Sequence, residues 1–343
     1  MNVFRTRSNN KIAVLGGGSW GSALALVASV KNYVKVWEYD ERVVKEVNSK
    51  HTNKRYLPDI QIPQDILYTT DLSEVLEDKP DIIIFAVPSQ ATRCVAEQAS
   101  KHIKRKAVII SASKGMEQGT HKRMSQVLEA CFPKSYPVIP LLGPTHAEEV
   151  AKMLPSAIVA GSRKKKATAF IQNVLSTPTF RIYSNTDTIG VEIASTLKNI
   201  IAIAAGLADG LGFGDNTKSA LITRGIAEMV RFGKKFNAKE RTFYGLAGVG
   251  DLMTTCFSNH GRNLRLGRML AQGSSLKQAQ EKLGQVTEGV KACTIVREIA
   301  LKKKIDMPIT MQVYNVLFEG LSAKEATIAL MERKIKREDW GHA

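Results

Sequence analysis

The sequence predicts a two-domain α/β protein: a parallel sheet covered by helices, followed by an all-helical domain. Three observations predict it. Short β-branched runs alternate with helical segments through the first half, the pattern of strands joined by helical crossovers. A glycine-rich turn joins the first apolar run to a helical one. After about residue 187 the β-rich runs stop and only helical periodicity remains. The expected domains are therefore residues 1–187 and residues 188–343.

Each element follows from local pattern. Strands are expected at "KIAVLG", "YVKVWEY", "DIIIFAV", "AVIISA", "YPVIPLLG", "SAIVAG" and "TFRIYS", because β-branched residues dominate short runs bounded by turn formers. "GSWGSALALVASV" and "ATRCVAEQASKHI" carry helical spacing between them. In the second domain, helices are expected in "TDTIGVEIASTLKNIIAIAAGLADG", "NTKSALITRGIAEMVRFGKKF", "GRNLRLGRMLAQG", "SSLKQAQEKLG", "EGVKACTIVREIALKK" and "PITMQVYNVLFEG".

Bulk properties narrow the class. A chain of 343 residues with 44% hydrophobic content can bury two cores. No apolar stretch reaches the roughly 18 residues of a membrane span, and "MNVFRTRSNNK" lacks the apolar centre of a signal peptide. Four cysteines are scattered without a C-x-x-C pair, which fits reduced thiols. A cytoplasmic location is expected. The net charge of +17 is spread over short Lys/Arg runs without interleaved aromatics, so they read as solvated faces and no nucleic-acid partner is expected. Attraction of small phosphorylated anions is the milder consequence.

"KIAVLGGGSWGSALA" places Gly16, Gly18 and Gly21 at the spacing G-x-G-x-x-G, after a strand and opening a helix. Glycines there permit a tight turn, close approach to a pyrophosphate and tight helix-on-strand packing, and the helix N-terminus offers free amides. Glu38 ends the next strand at about the separation of a ribose contact. The pattern is that of a Rossmann-like dinucleotide-binding domain. "DGLGFGDNTKS" and "LAGVGDLMTT" also contain G-x-G, but neither follows a strand, and Thr217 before Lys218 breaks a P-loop.

Polar clusters in "FAVPSQ", "SASKGME" and "LLGPTHAEEV" fall where strands end, and open α/β sheets bind ligands at those ends. Lys114 is one candidate there. Lys198 is another, in a helix where Ala194, Ser195, Ile201 and Ala202 lie three and four residues away. A buried amine must be paired or neutral. It could also snorkel to water, or pair with a carboxylate for structure alone.

Over nearly its whole length the chain resembles bacterial NAD(P)-dependent glycerol-3-phosphate dehydrogenase. The resemblance rests on "GGGSWGSALA", "AVPSQ", "SASKGME", "GPTHAEEV", "PSAIVA", "LKNIIAIAAGLADGLGFGDNTKSALITRG", "GLAGVGDLMTTC", "GRNLRLG" and "GQVTEGV", in that order. It implies a homodimeric enzyme that interconverts dihydroxyacetone phosphate and glycerol 3-phosphate with NAD(P)H for phospholipid synthesis. Lys198 matches the proton-transferring lysine. Cofactor contacts carry over to Ser19, Trp20, Tyr39, Lys114, Ala147, Arg262, Val286 and Glu288. Substrate contacts carry over to Lys114, Gly143, Thr145, Lys198, Asp251, Arg262 and Asn263. Gly261 departs from the family, which commonly has serine before the Arg-Asn pair, and only its backbone amide could serve.

The chemistry fits those residues independently. Ketone reduction needs a proton for the developing alkoxide, and Lys198 can supply it. Asp251 can orient the amine, and Thr255, one turn later, can help bind the substrate. Arg262 offers a planar fork for phosphate oxygens, and Asn263 an amide donor. His146 and His260 show no metal-ligand spacing, and no metal is expected. Two other readings remain open: another β-hydroxyacid dehydrogenase on the same plan, or a non-catalytic dinucleotide-binding protein. In "VWEYDER", Glu38 and Asp40 would bind ribose hydroxyls while Arg42 could reach a 2′-phosphate. NADH is therefore expected to work within about tenfold of NADPH.

Overall fold

The computed structural model describes residues 10–259, 261–334 and 338. His260, the first nine residues and part of the terminal basic run lie outside the described residues. Two compact units result: Met1–Glu117 with Lys122–Val191, and Gln118–His121 with Glu192–Ala343.

The first unit is an eight-stranded sheet with helices on its faces. Its strands are β1 (Lys11–Leu15), β2 (Tyr33–Trp37), β5 (Ile66–Thr69), β6 (Ile82–Phe85), β7 (Val108–Ser111), β8 (Val138–Leu142), β9 (Ser156–Gly161) and β10 (Phe180–Asn185). Between β2 and β5, β3 (Thr52–Asn53) and β4 (Leu57–Gln61) form a separate antiparallel pair. The helices are α1 (Ser19–Ser29), α2 (Glu41–Lys50), α3 (Leu72–Glu77), α4 (Thr92–Ser100), α5 (Met124–Cys131), α6 (Ala147–Ala151) and α7 (Lys165–Leu175).

Alternation along each strand divides the core between the two faces. Ile12, Val14, Ile82 and Ile84 pack with α1 residues such as Leu24 and Val27, while Ala13, Leu15, Ile83 and Phe85 pack with Val75, Val95 and Leu128. Burial on both faces explains why "DIIIF" is an unbroken apolar run. The strand order β10-β9-β8-β7-β6-β1-β2-β5 reverses direction at β1, so the crevice beyond the carboxyl ends of β1 and β6 is the topological switch point where such sheets take ligands.

Two details differ from the sequence expectation. β3, β4 and β5 are additional strands; β5 alternates buried Ile66 and Tyr68 with exposed Leu67 and lacks the unbroken apolar run that marks β6. β8 and β9 pair antiparallel, Leu141 opposite Ala160, because only the short α6 and its flanking loops join them rather than a full crossover.

The second unit is helical: α8 (Thr188–Gly210), α9 (Asp215–Lys234), α10 (Glu240–Phe243), α11 (Asp251–Phe257), α12 (Arg262–Ala271), α13 (Leu276–Leu283), α14 (Glu288–Lys303), α15 (Pro308–Phe318) and α16 (Ala323–Met331). α8 starts where the helical half was expected. Its first turn nevertheless belongs to the sheet unit, since Thr188 Oγ1 donates to Gly161 O at 3.0 Å and Gly161 lies against Val191. By length and composition α8 could cross a membrane, but the whole of its most apolar stretch is buried.

α8 is the axis of this unit. A Cβ on Gly206 would sit 2.1 Å from Leu264 O, and one on Gly267 would sit 2.2 Å from Ile203 O, so α8 and α12 cross at backbone contact. At its end Asp209 accepts from Arg268 Nε at 3.1 Å, Arg268 Nη2 at 2.8 Å and Lys218 Nζ at 3.0 Å. Buried Glu228 of α9 caps α15 by accepting from Ile309 N and Thr310 N.

Candidate active site

The glycine turn is built by exclusion. Gly16 has φ +106, and a Cβ there would press on the Ala86 backbone at 3.0 Å, while a Cβ on Gly21 would lie 1.7 Å from Gly16 O. Both positions require glycine. Gly18 is different: nothing lies within 4 Å of where its Cβ would be. The backbone is therefore bare at the mouth of α1, as close approach of a pyrophosphate requires. Trp20 Nε1 is buried without a hydrogen-bond partner, while Ser19 Oγ donates to Tyr56 O at 3.0 Å. These features fit a dinucleotide. Gly18→Ala should leave stability within about 0.5 kcal/mol and weaken cofactor binding roughly tenfold or more, the scale of one misplaced methyl. Thermal unfolding and fluorescence titration of NADPH check both; unchanged affinity would take the cofactor away from this turn.

The two carboxylates after β2 do not face outward as the sequence suggested. Glu38 is 2% exposed, and its carboxylate accepts from Gly17 N at 2.7 Å and Asp40 N at 3.1 Å. Burial raises its pKa, against the backbone hydrogen bonds that lower it. Asp40 caps α2 and is held by Arg42 Nη2 at 2.8 Å and Arg55 Nη1 at 2.7 Å. Hydrogen bonding from the Arg42 side chain is the main reason its pKa is lowered to about 2. Tyr39, between them, is 69% exposed.

Beyond β7 and β8 the candidates come together. Lys114 Nζ donates to Gly143 O at 3.2 Å, and Thr145 N donates to the same oxygen at 2.9 Å. Ala147 begins α6 two residues further on.

In the helical unit, Lys198 is 4% exposed and Asp251 1%. Lys198 Nζ donates to Asp251 Oδ1 at 2.5 Å and to Thr255 Oγ1 at 2.6 Å. The Thr255 hydroxyl in turn donates to Asp251 O at 2.6 Å. The amine is thus paired, which is how its charge is tolerated inside; it does not snorkel. Asp251 reaches it because Leu246–Gly250 form a π-helical turn that runs into α11. A Cβ on Gly248 would lie 2.0 Å from Phe243 O, so this glycine of "LAGVGD" serves the close turn. Beside it, Cys256 has its pKa pushed up to about 12 by burial, leaving an unreactive thiol.

Asn263 has a tighter role than the sequence indicated. Its Nδ2 donates to Asn199 Oδ1 at 3.0 Å and its Oδ1 accepts from Gly289 N at 3.1 Å, which sews the N-termini of α12 and α14 to α8. Asn199 was missed; its adjacency to Lys198 was the available signal. Arg262 is exposed at the start of α12, with Nη1 3.4 Å from Gln285 Oε1. Gly261 precedes it, and a Cβ there would meet Thr255 O at 3.0 Å, so a serine would crowd this backbone. Val286 is 50% exposed, and Glu288 opens α14.

Comparison with known proteins gives the family. Residues 11–168 match the family model for the NAD-dependent glycerol-3-phosphate dehydrogenase N-terminus, and residues 187–328 that for its C-terminus. The chain is 45% identical over 332 residues to "Glycerol-3-phosphate dehydrogenase [NAD(P)+]" of Enterococcus faecalis, covering 96% of this chain and 97% of the other. It is 44% identical over 328 residues to the protein of that name from Clostridium tetani, covering 95% and 93%. The crystal structure of glycerol-3-phosphate dehydrogenase from Coxiella burnetii superposes with a TM-score of 0.91 at 38% identity, covering 95% of this chain and 99% of that one.

Proposed function

The chain belongs to the NAD-dependent glycerol-3-phosphate dehydrogenase family, and from that premise we propose how its own residues perform the reaction. It interconverts dihydroxyacetone phosphate and sn-glycerol 3-phosphate with NAD(P)H. The buried Lys198–Asp251–Thr255 cluster carries this reading, because an amine held in one geometry by a carboxylate and a hydroxyl is what proton transfer to an alkoxide needs. Gly16, Gly18 and Gly21 would hold the nicotinamide cofactor, which would supply the hydride.

Lys198 gives one ammonium proton to the developing alkoxide in reduction and takes it back in oxidation. Asp251 and Thr255 hold the amine in place and balance its charge, so the proton is delivered from a fixed point. In the sheet unit, Lys114 holds its amine on the carbonyl oxygen of Gly143 and suits an anionic oxygen of a ligand. Phosphate recognition falls to Arg262 and the free amides at the start of α12, where the helix dipole also favours an anion. Asn263 fixes that terminus on Asn199 and contributes as a substrate contact through the same amide.

The product supplies phospholipid synthesis, and the enzyme works in the cytoplasm as a homodimer. The four free cysteines, none of them paired, suit a reducing compartment. Loss of reduced-cofactor absorbance on addition of dihydroxyacetone phosphate tests the activity. Cofactor binding without turnover would return the chain to the non-catalytic reading, and faster turnover of another ketone would favour a different dehydrogenase. Arg262→Ala should raise the apparent KM for the phosphorylated ketone by an amount equivalent to about 1.5–3 kcal/mol, the range of a charge-assisted hydrogen bond. An unchanged KM would remove Arg262 from phosphate recognition.

A further inference from the structure

We propose that the part of the helical unit where α9, α14 and α16 finish is a docking surface for an anionic phospholipid bilayer. Ile328 and Met331 enter the headgroup layer, and the lysines around them meet lipid phosphates. Binding there needs neither cofactor nor substrate. It uses basic runs that the sequence alone presents as solvated faces.

Tertiary structure gathers three basic segments around one acid. Asp306, between α14 and α15, accepts from Arg333 Nη2 on both carboxylate oxygens at 3.0 Å, and its backbone oxygen accepts from Arg231 Nη1. Lys303 Nζ lies 5.2 Å over the Phe236 ring, which ties the end of α14 to the chain after α9. Residues 231–235, 301–307 and 332–334 thereby come together, with eight Lys and Arg against two acids, Asp306 and Glu332. Asp306 is already taken. Lys235, Lys302, Lys304 and Lys334 are exposed and hold no hydrogen bond or ion pair among the described residues, so the local field attracts anions.

An apolar component adjoins these charges. Met331 is 81% exposed and Ile328, one turn earlier on α16, 44%, while Ala323 and Ala326, on another side of that helix, are buried. Leu301, 54% exposed, precedes Lys302 in the last turn of α14. Single exposed apolar side chains are ordinary. A pair on one helix face beside unpaired lysines is instead the pattern of a helix that lies in a membrane interface. There the apolar side chains leave water, and the lysine stems let each amine stay at headgroup level. A nucleic-acid strand would leave Ile328 and Met331 in water, whereas a lipid surface uses both features.

The test is flotation of the full chain with vesicles of phosphatidylcholine alone and of phosphatidylcholine with about 30% phosphatidylglycerol. We expect binding to the second only, lost as salt rises from about 0.1 to about 1 M and the Debye length shrinks to about 3 Å. A chain of net charge +17 is drawn to any anionic surface, so position is tested at constant charge. Lys302→Gln/Lys304→Gln/Lys334→Gln should lower partitioning at least about tenfold, and Lys101→Gln/Lys106→Gln/Lys134→Gln, at exposed lysines of the sheet unit, by about twofold or less. Ile328→Ser/Met331→Ser should weaken binding at least about fivefold with the thermal midpoint unchanged. No binding to the anionic vesicles, equal losses from the two lysine triples, or indifference to the Ile328 and Met331 substitutions would overturn the proposal. So would light scattering in which these substitutions split a dimer, because a second copy would then cover this face.

Discussion

Lys198→Met should lower turnover by roughly 10²-fold or more, the usual scale for losing a positioned acid–base group. The burial of its partner adds a second effect. Asp251 is 1% exposed and its carboxylate is 2.5 Å from the lysine amine, so the substitution strands a buried charge at a cost of about 3–5 kcal/mol. Loss of activity in the single variant would thus mix chemistry with instability. Lys198→Met/Asp251→Asn separates them: removing both charges should recover most of the thermal stability and none of the turnover. Cofactor affinity should stay close to normal in the double variant, because the glycine turn belongs to the sheet unit. Near-normal turnover in that variant would leave the pair a purely structural one, the bland alternative open for any buried lysine.

Gly267→Ala should destabilise the helical unit by about 3 kcal/mol or more, the upper part of the overpacking range. The added methyl would sit 2.2 Å from Ile203 O and 2.8 Å from Leu207 N, which is backbone and cannot rotate away. α12 must then move off α8, and Arg262 and Asn263 at its start move with it, so KM for the phosphorylated substrate should rise as the midpoint of urea unfolding falls. Gly214→Ala is the matched control, since nothing lies within 4 Å of a Cβ there and its effect should stay within about 0.5 kcal/mol. An unchanged midpoint for Gly267→Ala would mean that the two helices are not locked at this crossing.

Much of the framework was legible because it depends on periodicity. Strands buried on both faces must be continuous apolar runs, which is why "DIIIF" and "AVIIS" could be placed without coordinates. A strand-to-helix turn that admits a pyrophosphate needs glycine at fixed offsets, and Gly16 and Gly21 show why: each would strike backbone with any side chain. β5 escaped because only one of its faces is buried, so it lacks the continuous apolar run that marks β6 at the same length. The antiparallel pairing of β8 and β9 escaped because strand direction depends on the path of the connection, not on the strand's own composition.

By itself, then, the sequence determined the dinucleotide turn, the change from sheet to helices near residue 187, and a lysine inside an apolar helix, since each is encoded in residue type at short spacing. Tertiary structure alone decided what those residues face. It brought Asp251 and Thr255 to Lys198 across more than fifty residues of chain, and tied Asn263 to Asn199 and Gly289. It also turned Glu38 beneath the glycine turn while leaving Arg42 in solvent. The physical reason is the same in each case. A side chain's partner is set by where its backbone points after the chain has packed, and local spacing carries no record of that direction.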